Sequence, residues 1–270
     1  MLSVLGYLLV DLAVRALPAP VADRSARGVA RLAFAVRPRS RVALEANLRH
    51  LVPQLPAAER RLRAREAFEH FALSLLDFLR LRRLPAADLE RAIEIRGAVH
   101  LEQARASGRG VIVLSAHLGN WEWGAAWLAA RGERVSILAR PHPHPRVERW
   151  FEHLRSEQGV RVLRGRPAWP EAARALRRRE WVALMADRGC AGGPAWGWAA
   201  ALARRTGAVV LPAVMVRLAP GRYAACFEPP LTHEACAAGD HRAALRRQLV
   251  LHPGQWFGFE PAPAGLLASG

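Results

Sequence analysis

The chain has 270 residues, enough for one α/β domain with a helical extension, and its 51% hydrophobic content argues against wholesale disorder. Its formal net charge of +17 is carried by arginine alone, because the sequence contains no lysine; the expected partner is anionic, whether a membrane, a phosphorylated lipid, an acidic carrier protein or nucleic acid. Three cysteines without CxxC spacing argue against a disulfide-stapled or zinc-held small fold and fit a reducing compartment.

The first segment, Met1 to Val10, runs apolar for ten residues before Asp11 and Arg15 interrupt it. A membrane span needs roughly 20 apolar residues, and a signal peptide would carry its basic residues before the apolar run. Two readings stay open for residues 1–20. One is an interfacial anchor helix lying on the cytoplasmic membrane face, its arginines meeting anionic headgroups; the other is an amphipathic helix docked on its own domain.

Residues 21–270 read as one domain, with a helical layer over 21–90 and an α/β core over 91–270. In the layer, Phe68, Phe71, Leu75 and Leu79 recur at spacings of three and four, and Pro85 closes the pattern. Thereafter short apolar runs alternate with stretches of helical length: Ile93–Ile95, Val111–Leu114, Val135–Ala139, Val160–Leu163, Trp181–Ala186 and Val209–Val216, with Tyr223–Phe227 as a further candidate. Such alternation predicts a mostly parallel central sheet flanked by helices.

Ligands of such sheets sit beyond the carboxyl ends of the strands. After Val111–Leu114 comes Ser115-Ala-His117-Leu-Gly119-Asn120-Trp-Glu122; after Val135–Ala139 comes Arg140-Pro-His142-Pro-His144; after Val182–Ala186 come Asp187 and Arg188. Asn120 is a good N-cap for a helix from Trp121 to about Ala130, which leaves His117 on the turn, with Gly119 allowing the bend. Glu122 can then fold back to the second ring nitrogen of His117, fixing its tautomer so that the pair acts as a general base. Spacing alone does not separate this from Glu122 simply complementing the helix dipole. Gly-x-Ser-x-Gly is absent, so the attacking group is expected to be an acceptor hydroxyl rather than a protein nucleophile. Backbone N–H groups at the helix N-terminus, or Arg140, would meet the developing oxyanion. His142 and His144, hedged by prolines, read as a rigid loop, and no metal is assigned. No recognised nucleic-acid motif accompanies the basic charge, so no nucleic acid is expected as partner.

His117-Leu-Gly-Asn-Trp-Glu122 after a hydrophobic strand resembles the His-x4-Asp/Glu motif of the lipid A biosynthesis lauroyl/myristoyl acyltransferases, within the lysophospholipid acyltransferase-like superfamily. Asn47-Leu-Arg-His, Leu138-Ala-Arg140-Pro, Met185-Ala-Asp187-Arg188, Ala200–Pro212 and His252-Pro-Gly-Gln255-Trp256-Phe257 are similar to further family segments in family order. The resemblance implies an enzyme at the inner membrane, without a cofactor, that moves an acyl chain from acyl carrier protein or coenzyme A onto a glycolipid hydroxyl such as that of a lipid A precursor. It implies His117 as base with Glu122 as partner. Gly119, Asn120, Arg140, Asp187 and Arg188 would bind or orient substrate, and Asp187 would be a second carboxylate near His117. Two departures stand out: the segment Gly189–Trp198 is shorter than the family's, and Gly258 and Glu260 stand where aromatic and basic residues are common. A thioesterase using water, and a lipid-binding protein without turnover, are the alternatives on the same scaffold.

Overall fold

Proline punctuates the first third of the chain, and most of its prolines stand at helix starts. In a computed structural model describing residues 4–165, 168–190 and 193–267, α1 (Val4–Ala16) ends before Pro18, and α2 (Ala19–Val36) carries Pro20 in its first turn. Pro38 opens α3 (Pro38–Leu51), while Pro56 and Pro85 occupy the N-cap positions of α4 (Ala57–Arg80) and α5 (Ala86–Arg91). A fixed φ and a missing N–H are harmless at these positions, where the helix has no carbonyl to offer that N–H. The helical layer read from sequence is therefore several helices rather than one run, with α2 and α3 both laid against α4.

The remainder alternates as the apolar runs predict. In chain order come β1 (Ile93–Arg96), α6 (Ala98–Ala106), β2 (Val111–Ser115), α7 (Trp121–Ala130), β3 (Val135–Leu138), α8 (Pro145–Glu157), β4 (Val160–Leu163), α9 (Ala168–Arg177) and β5 (Trp181–Met185). A two-stranded ribbon, β6 (Gly189–Cys190) with β7 (Gly193–Pro194), precedes α10 (Ala195–Thr206), β8 (Val209–Ala219), β9 (Arg222–Phe227), α11 (His233–Ala238), α12 (Asp240–Leu251) and α13 (Ala264–Leu267). The shortened segment noted above spans this ribbon, and its residues 191–192 lie outside the described ones.

Seven strands form one sheet in the order β1-β9-β8-β2-β5-β3-β4. Every neighbouring pair is parallel except the β8–β9 hairpin, which turns at Pro220-Gly221. β2 lies in the middle and all five of its residues are buried. Its side chains divide by strand alternation: Ile112 and Leu114 join the core beneath α9, α10 and α12, whereas Val111 and Val113 join the core beneath α6 and α7. α4 contributes to both cores, Phe68 to the first and Phe78 and Leu79 to the second.

Where α4 meets the sheet, Asp77 is 1% exposed and fully engaged. It accepts from Arg217 Nη1 and from the Tyr223 hydroxyl, both at 2.6 Å, and its other oxygen accepts from Arg80 at 2.9 Å. Burial, followed by the facing Asp77 charge, raises the Tyr223 hydroxyl well above its ordinary range, so it stays protonated and donates. Asp77→Ala would strand Arg217 as a buried cation. We expect a loss of roughly 3–5 kcal/mol in urea unfolding, against less than about 1 kcal/mol for Arg96→Ala, whose half-exposed ion pair with Glu94 is solvated.

Candidate active site

The strand register sets the site. Val111 is paired with Trp181 and Ser115 with Met185, so His117 and Asp187 each lie six residues beyond a matched pair on adjacent parallel strands. Both chains leave the sheet side by side. The Ala186 N–H donates to Ser115 O at 2.7 Å, extending the ladder by one step, and His117 Nδ1 then meets Asp187 Oδ1 at 2.8 Å.

Asp187 is 2% exposed, and its other oxygen accepts from Trp256 Nε1 at 2.9 Å. Burial alone would raise its carboxyl. The His117 imidazole, the Arg188 charge and the Trp256 N–H outweigh that and bring its pKa from 3.8 down to about 2. An ionised carboxylate only accepts, so the proton of neutral His117 sits on Nδ1 and Nε2 presents its lone pair. The His117 side chain is 18% exposed, and its Nε2 has no protein partner among the described residues.

The turn carrying His117 is braced from three sides. Asn120 caps α7 by accepting from the Trp123 N–H, while its amide donates to Ser74 O and the Tyr223 hydroxyl. Gly119 has φ +62°, and a side chain there would begin 1.8 Å from Met215 O, so glycine is required both for the conformation and for the space. After α12 a 3-10 turn, Pro253–Gln255, leads into Trp256, which bridges Leu118. Gly119 N donates to Gln255 O at 3.0 Å and Phe257 N to His117 O at 2.8 Å, so residues 255–257 clasp the turn from beneath.

One expectation is corrected here. The His117–Glu122 hydrogen bond is replaced by the bond to Asp187, and Glu122 instead takes a fork from Arg155 of α8, at 3.0 and 2.6 Å, plus the Trp121 indole N–H at 3.1 Å. The reason is geometric: Glu122 lies past the cap, inside the first turn of α7, and is buried next to α8, where a desolvated carboxylate needs a cation. Burial would lower the Arg155 pKa, but Glu122 raises it, so the pair is ionic. Trp121 stands between the two side chains, with its ring edge-on to His117 at 4.9 Å. Gly119 and Asn120, expected among the substrate-binding residues, shape the turn. Arg140 and Arg188 do reach the same edge and flank Glu260, at 4.0 and 3.9 Å.

The loop before α8 has a structural use: the His144 ring accepts from Arg146 N and caps that helix. Among the described residues no group of three or more His, Cys, Asp or Glu side chains could hold a metal ion. Trp256, Trp121 and Arg155 escaped the reading of the sequence. Trp256 sits in a segment already conspicuous there, but nothing local marks Arg155 among so many arginines. Beyond Trp121, edge-on ring contacts continue through Phe257, Phe71, Phe259 and Phe68 to Phe34 on α2, an apolar wall beside the histidine.

The class is thus an α/β protein with a histidine–carboxylate pair, and no serine nucleophile motif, at the carboxyl edge of a mostly parallel sheet. The chain belongs to the bacterial lipid A biosynthesis acyltransferase family, whose sequence model matches residues 3–194. It is similar to a phosphatidylinositol mannoside acyltransferase of Mycobacterium tuberculosis, 32% identical over 108 residues, which cover 38% of this chain and 33% of that protein. The corresponding Mycolicibacterium smegmatis enzyme is 31% identical over 114 residues, 39% of this chain and 37% of its own. The Escherichia coli lipid A biosynthesis lauroyltransferase is 25% identical over 147 residues, 53% of this chain and 47% of its own. The matched stretches thus span from a third to just under half of these relatives.

A carboxyl whose pKa falls on folding adds stability at pH values above its unfolded pKa and loses it as pH drops through the folded one. For Asp187 that window runs from 3.8 down to about 2. Urea titrations across it should show wild type losing stability more steeply than Asp187→Asn, with the difference vanishing toward the acid end.

Proposed function

We propose that this protein transfers a fatty acyl chain from the thioester of acyl carrier protein or coenzyme A to a hydroxyl of a membrane glycolipid. The observation that carries this reading is the 2.8 Å bond from His117 Nδ1 to buried Asp187, which leaves Nε2 as an open base. Nε2 takes the proton of the acceptor hydroxyl as that oxygen attacks the thioester carbonyl. The tetrahedral oxyanion forms against the positive end of α7, adjacent to His117. When it collapses, the carbon–sulfur bond breaks and the imidazolium returns its proton to the departing thiolate. Asp187 stabilises the imidazolium between these steps, while Glu122, through Arg155 and Trp121, holds the indole against the ring.

Several observations support a membrane setting. The side of α1 and α2 turned away from α4 exposes Leu8, Leu9, Leu12, Val29, Leu32 and Val36, each more than half exposed. Arg15, Arg24 and Arg31 are exposed on the same two helices, while Asp11 and Asp23 are only partly exposed and are taken up by Arg15 and Arg80. An apolar stripe edged by arginine suits an anionic bilayer surface. Among the described residues no helix is long and apolar enough to cross a membrane. The rings leading from His117 to Phe34 offer an apolar wall between that face and the reacting group.

With an acyl-carrier thioester and total lipid extract, wild-type protein should give an acylated lipid. His117→Ala should give none, and Asp187→Asn should lower kcat by ~10² to 10⁴. Free fatty acid as the product, without acylated lipid, would identify a thioesterase and sink the transferase reading. Independently, Leu32→Glu combined with Val36→Glu should reduce co-sedimentation with phosphatidylglycerol vesicles while leaving the thermal unfolding midpoint within about 2 °C of wild type.

A further inference from the structure

Glu260 is a carboxylate in an unusual place. Its backbone is anchored: the buried Asn47 amide donates to Gly258 O at 2.9 Å and Glu260 O at 2.8 Å, and accepts from Ala262 N at 3.1 Å. The side chain, 55% exposed, is left between two guanidinium groups from the ends of neighbouring strands, Arg140 after β3 and Arg188 after β5. One carboxylate oxygen lies 4.0 Å from Arg140 Nη1 and the other 3.9 Å from Arg188 Nη1, so charge is balanced without a direct hydrogen bond in either pair. Arg188 Nε is buried with no hydrogen-bond partner among the described residues, while its Nη2 donates to Phe257 O at 3.3 Å. Phe257 N in turn donates to His117 O. One residue, Phe257, therefore links Arg188 to the histidine.

We propose that Arg140 and Arg188 form a site for a phosphate group beside His117, and that Glu260 is its built-in competitor, occupying the site loosely until a phosphate displaces it. This rests on the acyl-transfer reading for its purpose but not for its test. A phosphate offers more oxygens and more charge than a carboxylate, and can accept direct charge-assisted bonds from both guanidinium forks. Exposed pairs without direct hydrogen bonds hold weakly, so displacement is easy, yet the like charge of Glu260 still opposes an arriving anion. The competitor would favour substrates bearing phosphate over neutral or singly charged ones.

Calorimetric titration with inorganic phosphate tests this on the full chain. Glu260→Gln should bind about tenfold more tightly than wild type at low salt, and adding Arg188→Gln to it should abolish the gain. Equal or weaker binding by Glu260→Gln, or a gain that survives loss of Arg188, would overturn the proposal. The same comparison with coenzyme A and with a hexosamine 1-phosphate assigns the phosphate to donor or acceptor, according to which shows the gain. Because binding is read without turnover, an inactive acyl transfer would leave this result standing, and a failed titration would leave the transferase assay untouched.

Discussion

A carboxylate removed from water must find donors, and this constraint organises the carboxyl edge of the sheet. Three buried acids meet it differently. Asp77 takes Arg217, Arg80 and Tyr223 and locks α4 to β8 and β9. Glu122 takes the Arg155 fork and ties α7 to α8. Asp187 takes neutral or weakly basic donors, His117 and Trp256, and no short arginine bond. Only in the third case is the partner a ring whose second nitrogen has no hydrogen-bond partner among the described residues. The first two acids position the turn, and the third sets the proton on it.

The architecture was largely legible in the sequence because the central strands are apolar runs, and α2 to α5 each start at a proline. The cap at Asn120 and the extent of α7 followed from local chemistry as well. The family resemblance already implied Asp187 as a carboxylate near His117, but spacing alone did not: Glu122 lies five residues from His117 and Asp187 seventy away, so proximity in the chain favours Glu122. Only the adjacency of β2 and β5, with Val111 opposite Trp181, brings the distant one into contact. A regular offset, six residues past each apolar run's start, was present in the sequence, but strand order is not.

Asn120 and Gly119 show a related difficulty. Polar and small residues next to a candidate base read naturally as substrate contacts, yet here both are spent on the turn itself, one by hydrogen bonding and the other by making room for Met215 O.

The clasp formed by residues 255–257 adds a matter of timing. His117 and Asp187 both lie within residues 3–194, the stretch that matches the family, but the backbone bonds holding the histidine turn come from Gln255 and Phe257. During synthesis the chain grows from its N-terminus, so the N-terminal helices and both members of the pair leave the ribosome before the clasp does. Order in the histidine turn is thus a late acquisition: a nascent chain can already hold both His117 and Asp187 while the turn is still unclasped.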